Sequence, residues 1–229
     1  MGWSGKSGGE QEPEPLAQLQ EGNINYALTD LTDTDVEEYF VWMQEIARGA
    51  ATMTRTKLVA TQVDSDMHEV LPNRTLVEVI QKNLELVGPP KFDDREKAFA
   101  RATQKDLKPA PAMALSERIE PLPAGPPEQG LHSTDVGDLT WFFPVGQLSA
   151  ATYSYGAPGH SWQIVACTGT SIGEKGMMVA AKALAASAID LYRDPETLQR
   201  ARGDHKKMLA GQKFITLIPE GQKAPAKIR

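Results

Sequence analysis

Apolar residues recur along this chain with two different periods, and each period predicts an element. In residues 23–29 (NINYALT), Ile24, Tyr26 and Leu28 alternate with their neighbours, the two-residue period of a half-buried strand. The period then lengthens. Val36, Tyr39, Phe40, Met43, Ile46, Ala47 and Ala50 fall on one stripe of a helix, predicted to be buried, and Thr34 with Glu37 forms a capping box at its start. Residues 56–63 (TKLVATQV) return to an extended pattern. Strand, helix and strand in that order predict a helix lying across a small sheet. Two strands make too little sheet to stand alone, so this one must borrow strands from elsewhere.

Further on, Leu76, Val79, Ile80, Asn83, Leu84 and Val87 face one side of a second helix, which Gly88, Pro89 and Pro90 end. A third, more polar helix is expected over residues 93–105, followed by a proline-rich connection at 108–130 that reads as a surface insertion or a lid. Residues 138–143 are short and apolar, and 146–155 (GQLSAATYSY) predict an internal strand whose small residues allow close packing beneath a site. Gly156 to Gly159 then turn the backbone, and His160 stands where that turn ends. From Gly173 a long helix carries Met177, Ala181, Leu184, Ala185, Ala188, Leu191 and Tyr192 on the side expected to meet a sheet. Asp194 and Pro195 cap and open a last helix, periodic through Leu198, Ala201, His205, Met208 and Leu209, before a strand-like KFITLI at 213–218. Strands interleaved with helices place the chain in the α/β class.

Composition narrows the options. With 229 residues, 41% of them hydrophobic, there is enough apolar material for a core. The formal charge of −6 is spread without a basic stripe, which argues against nucleic acid as a partner. No apolar run has the length of a membrane span, so no membrane partner is expected. Residues 1–21 are rich in Gly, Ser, Glu, Gln and Pro and read as a disordered leader without the apolar core of a secretion signal, so the expected location is cytoplasmic. A single cysteine, Cys167, excludes an intramolecular disulfide framework and a cysteine-rich zinc finger, and agrees with a reducing compartment.

The candidate chemistry is sparse. Gly5, Lys6 and Ser7 spell the end of a phosphate loop but lack its first glycine. Of the four histidines, His205 belongs to a solvated helix, and His68 and His132 to loops. No HExxH string occurs. His160 is set apart by its rigid turn at the end of an internal strand, a place where open sheets present ligand-contacting groups. It is a candidate metal ligand, or else a histidine that hydrogen-bonds the turn. Asp135 and Asp138, in STDVGD at 133–138, read either as a polar turn capping backbone amides or as carboxylates that hold His160 in one tautomer. Asn73 and Arg74 open the second helix after a proline. They are caps, or a fork for a substrate carboxylate. Cys167 follows His160 by seven residues, but it lies in an expected apolar strand where a thiol is inert packing.

Taken together, RGAATMTRT at 48–56, LPNRTL at 71–76, STDVGD at 133–138, GAPGHSWQ at 156–163 and TSIGEKGMMVAAKALA at 171–186 resemble the aminoacylase and carboxypeptidase-like metallohydrolases, with the aminobenzoyl-glutamate hydrolase branch as the nearer match. The resemblance implies a doubly wound metallopeptidase-like catalytic domain holding two divalent metals, zinc or manganese, and a smaller α+β lid that forms a homodimer. It places residues 22–66 in the last strand-helix-strand part of the lid and 67–229 in the C-terminal part of the catalytic domain. It implies a small amide or dipeptide-like substrate bearing a free carboxylate. By position His160 resembles the last metal ligand, Asn73 and Arg74 the group that contacts the substrate carboxylate, and Asp135 with Asp138 an acidic turn near the metals. The family's other ligands and its general base find no match here. This polypeptide alone is therefore expected to bind no metal and to be inactive, unless it pairs with an N-terminal half. The alternative is a non-catalytic dimerising or complementing subunit.

Overall fold

The computed structural model describes residues 33–63, 65–125 and 134–223. The expected leader, the strand at 23–29 and His132 lie outside them. The described chain divides into two units, one holding residues 33–63, 65 and 217–223, the other 66–125 and 134–216. No helix among the described residues is long and apolar enough to cross a membrane.

The first unit is built on α1 (Asp33–Thr54), which begins beside the predicted cap at Thr34. Gln44 donates from Nε2 to Thr61 Oγ1 at 3.4 Å, and Gln222 from Nε2 to the Val63 carbonyl at 2.6 Å. The predicted buried stripe is not buried. Tyr39, Ile46 and Ala50 are exposed, as are Trp42 (61%) and Met53 (85%) on the same helix. Residues 56–63 form no strand, so within the described part of this unit α1 has no sheet to lie on.

Among its described residues the second unit holds six helices, α2 (Arg74–Val87), α3 (Asp94–Thr103), α4 (Val136–Phe142), α5 (Trp162–Thr168), α6 (Ser171–Arg193) and α7 (Pro195–Leu209). Their ends are set by local chemistry. Asn73 Oδ1 accepts the Leu76 amide at 3.1 Å to start α2, and Gly88 ends it at φ +77, a value that favours glycine. Asp194 Oδ1 takes the amides of Glu196 and Thr197 at 3.0 and 3.1 Å, with Pro195 opening α7.

The α2–α6 seam is the centre of this unit. Leu84, Val179 and Ala183 are buried there together, and Asn83 Nδ2 reaches from α2 to Asp190 Oδ2 at 2.9 Å. Asn83, then burial in the opposite sense and Lys82, hold the Asp190 carboxyl below its ordinary range. α7 is fastened to the start of α2 through Thr75 Oγ1, which donates to Asp204 Oδ2 at 2.6 Å. A second cluster of Phe92, Ala100, Ala114, Leu115, Cys167 and Ile172 joins α3, α5 and the start of α6. Burying side chains as large as Ile172 or Phe92 contributes about 1.5–3 kcal/mol each.

Several expectations are corrected here. The helices appear where the long period put them, but no strand exists among the described residues, so they do not bear out an α/β sheet. Residues 146–155 and 213–218 form no strand, with a bend at Tyr153 and at Leu217 and Ile218. An alternating pattern makes a strand only when a neighbour supplies the other half of each hydrogen bond. Residues 138–142 and Cys167 belong to helices, α4 and α5. The face of α6 expected to be covered is open to solvent, with Met177 at 58%, Leu184 at 45% and Tyr192 at 88% exposure. The opposite face, Ile172, Gly173, Gly176, Val179, Ala183 and Ser187, is buried instead, because its small residues admit neighbouring backbone. A Cβ at Gly176 would meet the Ala151 carbonyl oxygen and the Thr152 methyl (2.7 Å), which no side chain tolerates. The proline-rich connection is hydrogen-bonded at Pro111 to Ala114, at Glu120 and at Pro123. Gln104 Nε2 donates to the carbonyls of Met113, Ala114 and Tyr155, and Arg101 to those of Pro111 and Ala112.

Glu96 ties α3 to α6. It completes a capping box with Asp93, whose amide it accepts at 2.7 Å, while Ser171 Oγ and Lys175 Nζ reach it at 2.5 and 2.6 Å. Burial opposes its charge, but Lys175, Ser171 and the Asp93 amide outweigh burial and lower its pKa from 4.5 to about 2. A carboxyl lowered by folding adds stability that is complete above pH 4.5 and disappears as pH falls towards 2. Glu96→Gln should lower unfolding free energy at pH 7 by about 1–3 kcal/mol and flatten this acid limb in urea titrations. An unchanged acid limb would refute the role.

Candidate functional site

The candidate site residues Asn73, Arg74, Asp135, Asp138 and His160 lie in the second unit, and the structure gives them different neighbours from those expected. His160 ends the turn that begins at Gly156. That turn is braced from below: Ala157 N donates to the Ser154 carbonyl at 3.2 Å and Tyr155 N to that of Ala114 at 3.0 Å. Glycine freedom is used at Gly156, at φ +75, but at the far end the left-handed residue is His160 itself, at φ +54. Histidine enters that region more readily than most residues, yet still at a cost. Its imidazole is exposed, and among the described residues no hydrogen bond joins it to Asp135 or Asp138.

Asp138 does hold a histidine, and it is His68. Its Oδ1 accepts the His68 amide at 2.9 Å and lies 3.0 Å from His68 Nδ1, while His68 Nε2 is 2.5 Å from the Ile215 carbonyl oxygen. The buried ring packs at 4.0 Å on Phe214 and edge-on to Trp141 at 5.5 Å. Sequence places His68 in a loop, and its neighbours there give no signal of a partner 70 residues away. Asp135 stands at the start of α4, exposed and without a side-chain capping bond. The approach of α4 to this histidine depends on Gly137, where a Cβ would overlap the His68 carbonyl oxygen and come 3.0 Å from its carbon.

Asn73 is only 2% exposed, and both ends of its amide are engaged. Oδ1 caps α2 and Nδ2 donates to the Ala201 carbonyl at 2.8 Å. Arg74 is exposed beside it. Its Nε donates to Glu78 Oε1 at 2.7 Å and one terminal nitrogen to the Pro123 carbonyl at 2.9 Å, which leaves donors on the other nitrogen facing water. His205, expected on a solvated face, is half-buried and meets the Thr140 carbonyl at 2.7 Å through Nε2. Cys167 is fully buried in the α3–α5 cluster, consistent with inert packing. A groove of about 400 Å³ lies elsewhere, between Lys97, Arg101, Met113, Leu115 and Glu117, and its cations are spent on Glu117 and on backbone carbonyls.

Among the described residues no group of three or more His, Cys, Asp or Glu converges as metal ligands. A divalent ion of the zinc type needs three or four protein donors, so the exposed imidazole of His160 does not hold one by itself.

Comparison with known proteins adds one informative match. Over 90% of its length the chain is 33% identical to one of the subunits of p-aminobenzoyl-glutamate hydrolase from Escherichia coli (strain K12), and it spans 47% of that relative, about half its length. The resemblance read from the motifs therefore holds, and the chain is related to that hydrolase. A stretch of 40 residues is 85% identical to a trehalose-6-phosphate synthase of Sinorhizobium fredii (strain NBRC 101917 / NGR234), covering 18% of this chain and 9% of that protein, too little to carry a functional argument. No family model and no solved structure matches the chain.

Gly137→Ala should cost about 2–4 kcal/mol, because the new methyl must push α4 off the 68–69 backbone. Urea unfolding measures this, and a variant as stable as the parent would show that the contact is not tight.

Proposed function

We propose that this chain forms part of a metal-dependent amidohydrolase that cleaves an amide bond beside a free carboxylate, with a metallopeptidase-like catalytic domain. The carrying observation is the kinship with the p-aminobenzoyl-glutamate hydrolase of Escherichia coli over nearly the whole chain, together with the setting of His160. A strained, braced and exposed imidazole is presented outward, which suits a group that meets something other than its own fold. In this reading His160 supplies one donor to a zinc or manganese centre, and the remaining donors and the general base come from beyond the described residues. Arg74 receives the substrate carboxylate with the nitrogen that Glu78 and Pro123 leave open. Asn73 serves that contact from behind, by fixing the first turn of α2 through its bonds to Leu76 and Ala201. Asp138 acts on the site through His68 and the placement of α4, while Asp135 stays with the acidic turn at the start of that helix.

The second reading is a non-catalytic, dimerising or complementing protein of cytoplasmic location. Its specific support is α6, a helix apolar on the buried side and again on the exposed side at Met177, Leu184 and Tyr192. Helices apolar all round are buried in the finished assembly. Mass measurement of the isolated chain together with metal analysis bears on the two: a stable metal-free dimer favours the non-catalytic role, and a bound stoichiometric pair of metal ions excludes it.

The hydrolase reading is tested by placing this chain's matched stretch in the Escherichia coli relative and assaying p-aminobenzoyl-glutamate. The chimera should turn over, and His160→Ala in it should lower kcat about 100-fold or more with loss of bound metal. Unchanged turnover and metal content in that variant would refute the role of His160.

A further inference from the structure

His68 is buried, and both nitrogens of its ring face oxygen atoms. Nδ1 lies 3.0 Å from Asp138 Oδ1, which also accepts the His68 amide at 2.9 Å, and Nε2 lies 2.5 Å from the Ile215 carbonyl oxygen. A carboxylate and a backbone carbonyl can only accept. A neutral imidazole has one N–H and one lone pair, so it satisfies one of these oxygens and points its lone pair at the other. Only the imidazolium form donates to both. Burial works against that charge, and two groups offset it: the Asp138 carboxylate, as an ion pair, and the ring of Phe214, whose centroid is 4.0 Å from that of His68 at a tilt of 33°.

The Ile215 side of this arrangement is a strap. After α7 the chain turns back through Ala210 and Gly211, left-handed at φ +47 and +83, and residues 213–216 return to α4 without forming a strand. Ile215 is 67% exposed, so its side chain does little to seat the strap. Phe214 lies against His68 and, at 4.9 Å, against Phe142, while Thr216 Oγ1 donates to Asp66 Oδ2 at 3.0 Å. When one proton leaves the His68 ring, the proton that stays goes to the stronger acceptor, the Asp138 carboxylate. The Ile215 carbonyl is then left facing a lone pair. The other titratable groups on these elements are Asp66, which takes Thr216, His205 on α7, which meets the Thr140 carbonyl, Asp135, exposed at the start of α4, and Glu69 and Lys213, next in the chain to His68 and Phe214.

We propose that His68 is a proton-dependent clamp on residues 213–216: its doubly protonated ring holds the strap against α4, and loss of one proton releases it. The clamp is independent of the hydrolase reading and of His160. Folding holds the second ring proton more tightly than the unfolded chain does. The hold is therefore complete below the ordinary histidine range of about pH 6.5, and it is lost as pH rises through the higher value of the folded chain.

NMR of the full chain between pH 5.5 and 9 tests this, by the nitrogen shifts of the His68 ring and the Overhauser contacts between carbon-bound ring protons of His68 and Phe214. Both ring nitrogens should be protonated at about pH 6.5, and the contacts to Phe214 should disappear over the interval in which His68 titrates. Asp138→Asn should move both changes together to lower pH by about 1 unit or more, and His205→Gln should leave them in place. A His68 ring with a single proton at about pH 6.5 overturns the proposal. Contacts to Phe214 that are equally strong at both ends of the range overturn it as well, as does a release that vanishes in His205→Gln.

Discussion

The close approach of α6 to α2 governs the second unit. The buried face of α6 carries Gly173, Gly176, Ala183 and Ser187; its two glycines admit the backbone of Thr168 and Ala151, and Ala183 lies at the seam with α2. Leu84 and Val179 pack together at the seam, and the part-buried pair of Asn83 and Asp190 ties one helix to the other. The rest follows from that placement. Ser171 and Lys175, at the start of α6, are positioned to meet Glu96, so α3 is drawn in. Asp204 on α7 meets the first turn of α2, so the last helix is drawn in as well.

The same framework sets the site. Turn 156–161 stands on Ser154 and Tyr155, which are bonded to Thr103, Gln104 and Ala114. A turn held on one side and open on the other can keep His160 left-handed and Ser161 unpaired, costs that a flexible loop would relax away. The acidic turn belongs to a different subsystem. Asp138 is committed to His68, and that ring to Phe214 and Trp141, so the aspartate works through the seating of α4 and residues 214–215 rather than on His160 directly.

Much of this is legible in the chain. The starts and ends of α2, α6 and α7 are written in Asn73, Gly88, Thr170, Asp194 and Pro195, because caps are local chemistry. The capping box of Asp93 and Glu96 also has a plain spacing, though its role as a tie to α6 does not, since Lys175 lies 79 residues further on. The strands fail for the opposite reason. Alternation in residues 56–63 and 146–155 describes one strand's half of a sheet, and the other half is a non-local event that no window of sequence contains. The buried face of α6 escapes periodicity because two apolar faces compete on that helix, and small residues rather than large ones decide which is covered. The role of His68 is hidden for want of any local sign of Asp138.

The central claim is that the chain presents the exposed imidazole of His160 to a centre whose other donors lie elsewhere. Zinc retained per chain after equilibrium dialysis, followed by removal of free metal, measures this most directly. The account predicts no stoichiometric zinc on the isolated chain. A tightly held pair of ions on that chain would contradict it.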